Sequence, residues 1–154
     1  SFLLTGDQVP VLRLSNSREG KDMRRKNQKG FTLVEIMIVV AIIALLAAIA
    51  IPNLLRAKIS ANDALAQSTL RSISTASETF GTANNGNYPT NITSLTGATP
   101  PYLNTSYCNT TASGFAFTCT FGTGGYTITA SVVTMNTTGT TTFTISTGGI
   151  LAEM

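Results

Sequence analysis

The sequence predicts an α+β fold: a long N-terminal α-helix packed on a small antiparallel β-sheet of about three to four strands. Three observations carry this prediction. An apolar run begins at residue 33 and passes into a one-sided helical stripe. A Gly/Asn-rich stretch, GTANNGN at 81–87, ends that pattern. Beyond it, segments alternating apolar residues with Thr or Ser are separated by glycine-containing turns.

Taken in order, residues 1–22 show no sustained period, and Met23 then opens MRRKNQKG. We expect translation to begin at Met23, with 1–22 an upstream extension; a long cytoplasmic leader is the alternative. Charge is uneven. Residues 1–30 carry seven basic and three acidic side chains, a net +4, while 31–154 carry three basic and four acidic, a net −1. Without its N-terminal segment the chain has no basic footprint for nucleic acid.

Residues 36–51 are 16 positions without a polar side chain, and 33–51 are 19 with Glu35 as the single exception. At 1.5 Å per residue that is about 30 Å, roughly one hydrocarbon core. The basic cluster before it stays cytoplasmic by the positive-inside rule, which sends the rest across the membrane. The helical pattern continues past Pro52 through Leu55, Ile59, Ala66, Leu70, Ile73 and Phe80, with Asn62 interrupting the stripe. Pro52 lacks an amide hydrogen and is expected to kink or loosen the helix. One helix of about 50 residues follows.

From Tyr88 to Asn104 three prolines and little period read as a loop. GFAFTCTF (114–121), GYTITASVV (125–133) and TTFTISTGGILA (141–152) read as an antiparallel meander. Its apolar face must be covered, and the one-sided half of the helix is the candidate cover. Cys108 and Cys119, in a Ser/Thr/Gly-rich region after a membrane segment, point to a disulfide in an oxidising compartment. Two reduced, buried thiols are the alternative.

Composition argues against catalysis. There is no histidine, and Glu153 is the only carboxylate after Phe80, so a paired-carboxylate site is missing there. No G-x-S-x-G run accompanies the many serines and threonines. No metal or cofactor is expected. Four N-x-[ST] patterns, at Asn91, Asn104, Asn109 and Asn136, arise readily by chance in so Thr-rich a chain.

The stretch KGFTLVEIMIVVAIIALLAAIAIPNLLRAK (29–58) resembles the signal of the type IV pilin and type II secretion pseudopilin superfamily. The resemblance is dense over 24–58, looser through the loop and only architectural in the strands. It implies cleavage between Gly30 and Phe31 by a prepilin peptidase, with methylation of the new amine at Phe31. It makes Glu35 the family's assembly glutamate, paired with a neighbour's Phe31 amine, and Pro52 its helix-loosening proline. It divides the chain into a leader (1–30), a membrane-spanning and filament-core half-helix (31–52) and a globular domain (53–154). Implied partners are copies of itself and related pilins, the peptidase and methyltransferase, an inner-membrane assembly platform, and the membrane before assembly. Surface adhesion, motility or uptake would follow for a pilus, and protein secretion for a pseudopilus. A membrane-tethered module that never polymerises is a third function.

Two departures from the family bear on that choice. The scarcity of carboxylates does not suit the calcium site the resemblance implies for major pseudopilins. The cysteine pair also leaves 35 residues behind it, unlike the C-terminal bracket of many pilins. It would fasten the loop before the sheet to the first strand.

Two other accounts of the apolar stretch are a secretory signal peptide cut after AIA (48–50) and an anchor that is never cut. The first has an apolar region longer than the usual 7–15 residues and discards half of a continuing helix. Glu35 also has a local explanation. Thr32-Leu33-Val34-Glu35 has capping-box spacing, and a carboxylate in the first turn suits the helix dipole.

Overall fold

The computed structural model describes residues 30–154. The expected start at Met23, the basic cluster and most of the leader lie outside the described residues. Helix α1 (Leu33–Ala83) is 51 residues long, as the apolar run and stripe together predict. It ends where Asn84 N donates to the carbonyls of Phe80 and Gly81, and Gly86, at φ 85°, lets its own amide reach Gly81.

The Thr-rich segments form a five-stranded antiparallel sheet in the order β1-β2-β3-β4-β5. Its strands are β1 (Thr110–Ala112), β2 (Phe115–Gly122), β3 (Gly125–Val132), β4 (Phe143–Ser146) and β5 (Ile150–Glu153). The count exceeds the expected three to four for two physical reasons. Residues 141–152, read as one strand, are folded into a hairpin by Gly148 and Gly149, at φ 85° and 74°. A further strand, β1, returns from β2 through Ser113 and Gly114, both at positive φ, the geometry of a tight hairpin turn. The loop also contains one short helix, α2 (Thr93–Thr96), which buries Leu95.

Alternation decides the core. Phe115 and Phe117 on β2, Tyr126, Ile128 and Ala130 on β3, and Phe143 and Ile145 on β4 all turn inward. They meet Ala66, Leu70 and Ile73 of α1, spaced by one turn or less. Leu70 and Ile73 are fully buried, whereas Leu55, the first member of the expected stripe, is exposed. The sheet therefore covers α1 only from about Ile59 onward.

Two carboxylates bolt the sheet to the helix. Asp63 accepts from Thr140 N at 3.1 Å and Thr140 Oγ1 at 2.7 Å. Beside it, the Asn62 side chain donates to the Thr138 carbonyl at 2.8 Å, which accounts for the polar interruption of the stripe. Gly139 must be glycine here, since a Cβ would come within 2.4 Å of the Phe115 ring. Four turns further on, Glu78 accepts from Gly148 N (2.6 Å), Tyr126 OH (2.8 Å) and Tyr88 OH (2.9 Å). Ser74 Oγ lies 2.7 Å from the same Tyr126 hydroxyl.

Burial would raise the Glu78 carboxyl, but the three donors outweigh it and hold it below the usual carboxylate range. Burial first, and the Glu78 charge with it, pushes the Tyr126 hydroxyl up to about 12, against the opposing bond to Ser74. The hydrogen bond to Glu78 raises the Tyr88 hydroxyl too.

Cys108 and Cys119 form a disulfide with Cα atoms 5.4 Å apart. Cys108 precedes β1 and Cys119 lies in β2, so the bridge spans the hairpin missed in the sequence. It joins the chain ahead of the sheet to the second strand, not the first.

Replacing both cysteines by serine should lower globular-domain stability by about 2–4 kcal/mol, seen as a lower denaturant midpoint. The Glu78 network should fail at both pH extremes. Its depressed carboxyl contributes stability above the ordinary value near 4.5, lost as pH falls through the folded value. The raised tyrosines contribute below pH 10, lost as pH rises beyond it. Glu78→Gln should cost about 1 kcal/mol at pH 7, discounted for partial exposure, and flatten the acid limb of stability against pH.

Candidate assembly site at the helix N-terminus

The capping box foreseen in the sequence is present. Thr32 sits at the N-cap in extended conformation, φ −76° and ψ 153°. Its hydroxyl accepts from Glu35 N at 3.2 Å. Glu35 Oε2 in turn accepts from Thr32 N and Thr32 Oγ1, each at 2.8 Å. Both bonds fall on one carboxylate oxygen. Among the described residues nothing donates to Oε1, so half of the carboxylate has unused acceptor sites.

Around this carboxylate the surface is apolar. Phe31, Glu35, Ile36, Ile38 and Val39 line one shallow recess. Phe31 is 83% exposed. Gly30 is exposed too, with nothing within 4 Å of where a Cβ would stand, so the peptide bond between them is open to an approaching enzyme. The structure thus brings Gly30, Phe31 and Glu35 together at one end of α1.

Further along, the apolar side chains remain uncovered as far as Leu54, with Leu46 61% and Ile51 67% exposed. This stretch of α1 is long and apolar enough to cross a membrane, and none of it is buried in the monomer. Pro52 lies inside α1, whose helical run is unbroken there. It has no amide hydrogen for the carbonyl of Ala48, so that turn lacks one backbone bond. Cys108 and Cys119 are far along the chain from this end and belong to the sheet.

Sequence reasoning passed over Asp63 and Glu78. Each stands on the inward side of a helix whose partner strands carry Thr, Tyr and Gly, and only the fold reveals which of these come within reach. The described residues contain no group of three or more His, Cys, Asp or Glu able to hold a metal ion.

The family profile described as "Prokaryotic N-terminal methylation motif" matches residues 25–51. The chain is 46% identical over 70 residues to the type IV wide pilus major component PilA4 of Thermus thermophilus, covering 46% of this chain and 53% of that protein. It is 48% identical over 52 residues to the type IV major pilin protein PilA of Myxococcus xanthus, covering 34% and 24%. It is 38% identical over 68 residues to the type II secretion system core protein G of Klebsiella michiganensis, covering 44% and 47%. The matched parts thus span about half, or less, of these relatives' own lengths. No solved structure matches the chain. With a methylation motif at its helix start, pilins and core protein G among its relatives, and a long half-naked helix seated on an antiparallel sheet, the chain belongs to the superfamily of type IV pilins and type II secretion pseudopilins.

Proposed function

We propose that this chain is the structural subunit of a type IV pilus-like filament. The observation that carries the reading is the uncovered first half of α1: an all-round apolar surface that no part of the same chain buries. Such a surface needs either lipid or other copies of itself. In the inner membrane residues 33–51 lie in lipid. In the filament the same surface lies against equivalent helices. The exchange is apolar for apolar, so little transfer free energy changes, and a motor acting through the assembly platform can drive it in either direction.

In this reading the leader (1–30) is removed by a prepilin peptidase between Gly30 and Phe31, and the new amine at Phe31 is methylated. Residues 31–52 form the membrane span and filament core, and 53–154 the globular domain. The free Oε1 of Glu35 takes the Phe31 amine of a neighbouring copy while Oε2 stays in the cap. Charge leaving water near the membrane edge is thereby paired, and neighbouring helices are staggered by about four residues, roughly 6 Å. Pro52 loosens α1 where it leaves the filament core. The chain does mechanical rather than chemical work, and needs no cofactor.

A second reading, a pseudopilus subunit of a type II secretion system, is favoured by the likeness to core protein G. The near absence of carboxylates after Phe80 weighs against it.

N-terminal sequencing of the mature protein should begin at Phe31; a start at Ile51 means a secretory signal peptide, and an intact leader means a plain anchor. Glu35→Ala should leave insertion and processing intact but abolish surface fibres by electron microscopy. Abundant fibres from that variant would sink the pairing. Thr32→Ala, which removes the cap but keeps the carboxylate, should still assemble. Long surface fibres separate a pilus from a secretion pseudopilus or a tethered module.

A further inference from the structure

We infer that the open groove between α1 and the loop after α2 is a lateral docking surface for the β5 edge of a second copy, with Arg71 in the groove paired to Glu153 on that edge. The inference rests on the filament reading and adds a contact outside the helical core.

The charge inventory points to this pair. From Phe31 onward the chain has four carboxylates and three basic side chains. Glu35 is engaged by its cap, Asp63 by Thr140 and Glu78 by Gly148 and two tyrosines. Glu153 is left exposed, and its carboxylate has no partner among the described residues. Arg71 is exposed on α1 and lines a groove of about 920 Å³ whose other wall is formed by Pro101, Tyr102 and Leu103. Its guanidinium has no ion pair among the described residues; its backbone carbonyl accepts from Thr75. The groove floor is rich in hydroxyls. Ser72, Thr75 and Thr79 donate back to their own helix, which leaves their oxygens free to accept.

The edge has what the groove lacks. In the strand order β5 is terminal, bonded to β4 on one side and unpaired on the other. It exposes Ile150 at 65%, followed by Met154 at 71%, and offers backbone N–H groups. Groove and edge cannot meet within one copy. The groove wall leads into β1, at the opposite end of the sheet from β5. The contact is therefore head-to-side and repeats without closing, the geometry of a fibre.

Height along the axis agrees. Thr140 at Asp63 and Gly148 at Glu78 lay β4 alongside α1, and Glu153 pairs with Phe143 in β4. That puts Glu153 within about 5 Å of the level of Arg71. Side-by-side copies offset by one helical turn, which a Glu35 carboxylate on a neighbour's amine demands, keep the two charges within reach.

The test uses the full chain in cells that assemble it. Arg71→Glu and Glu153→Lys should each reduce sheared filament yield about fivefold, because a weak rim contact is multiplied along a fibre. The double swap should recover it to within about twofold. Both sites are exposed, and normal cleavage and membrane insertion of each variant checks that it folds. Arg71→Cys combined with Glu153→Cys should give a ladder of disulfide-linked oligomers in intact filaments. Wild-type yields from the single variants together with no ladder would overturn the contact and leave the filament reading standing. A correctly cleaved wild-type chain that never assembles would overturn both.

Discussion

A single helix here must satisfy two surroundings, and every other element answers to that. From Leu33 to about Leu55, α1 presents apolar side chains in all directions, which no globular domain of this size can cover. From Ile59 it presents one apolar stripe, which a small sheet can. The changeover lies near Pro52, where one backbone bond is missing. Everything after Ala83 serves to cover half a helix, and everything before Glu35 serves to make the other half usable.

This division explains where polar groups sit. Buried hydroxyls and carboxylates are confined to the covered half, each with a partner: Ser77 Oγ on the Ile73 carbonyl, Ser74 with Tyr126, Asp63 with Thr140. No buried side-chain polar atom among the described residues lacks a hydrogen bond. The uncovered half has one carboxylate, at the end where backbone amides of the first turn also need acceptors. Glu35 is thus a helix-start group by local chemistry. Its spare oxygen is what the proposed assembly uses.

Much of this was legible in the residues. The helix length, the capping box and the disulfide follow from the uninterrupted apolar run, the Thr32–Glu35 spacing and the two cysteines. What was missed has a consistent cause. β1 is three residues with no buried side chain, so it has no alternation to detect; only the turn at Ser113-Gly114 marks it. The β4–β5 hairpin hid because Gly148-Gly149 interrupts a run that otherwise keeps one composition. Asp63 and Glu78 were silent because a lone carboxylate on a helix reads as solvated. Their partners lie 77 and 70 residues away for Thr140 and Gly148, and long-range pairing of that kind is written in the fold, not in the spacing.

The two carboxylate ties have a mechanical meaning. Asp63 and Glu78 grip the same stretch of sheet at points separated by about 22 Å of helix. A pull along α1 is therefore resisted in shear by both ties and the packed core between them at once, not by one bond after another. Neither tie can unzip ahead of the other without sliding Leu70 and Ile73 across the aromatic face they fill. The globular domain is clamped to its shaft the way a bracket is held by two bolts, and the load it can carry exceeds what either bolt would bear alone.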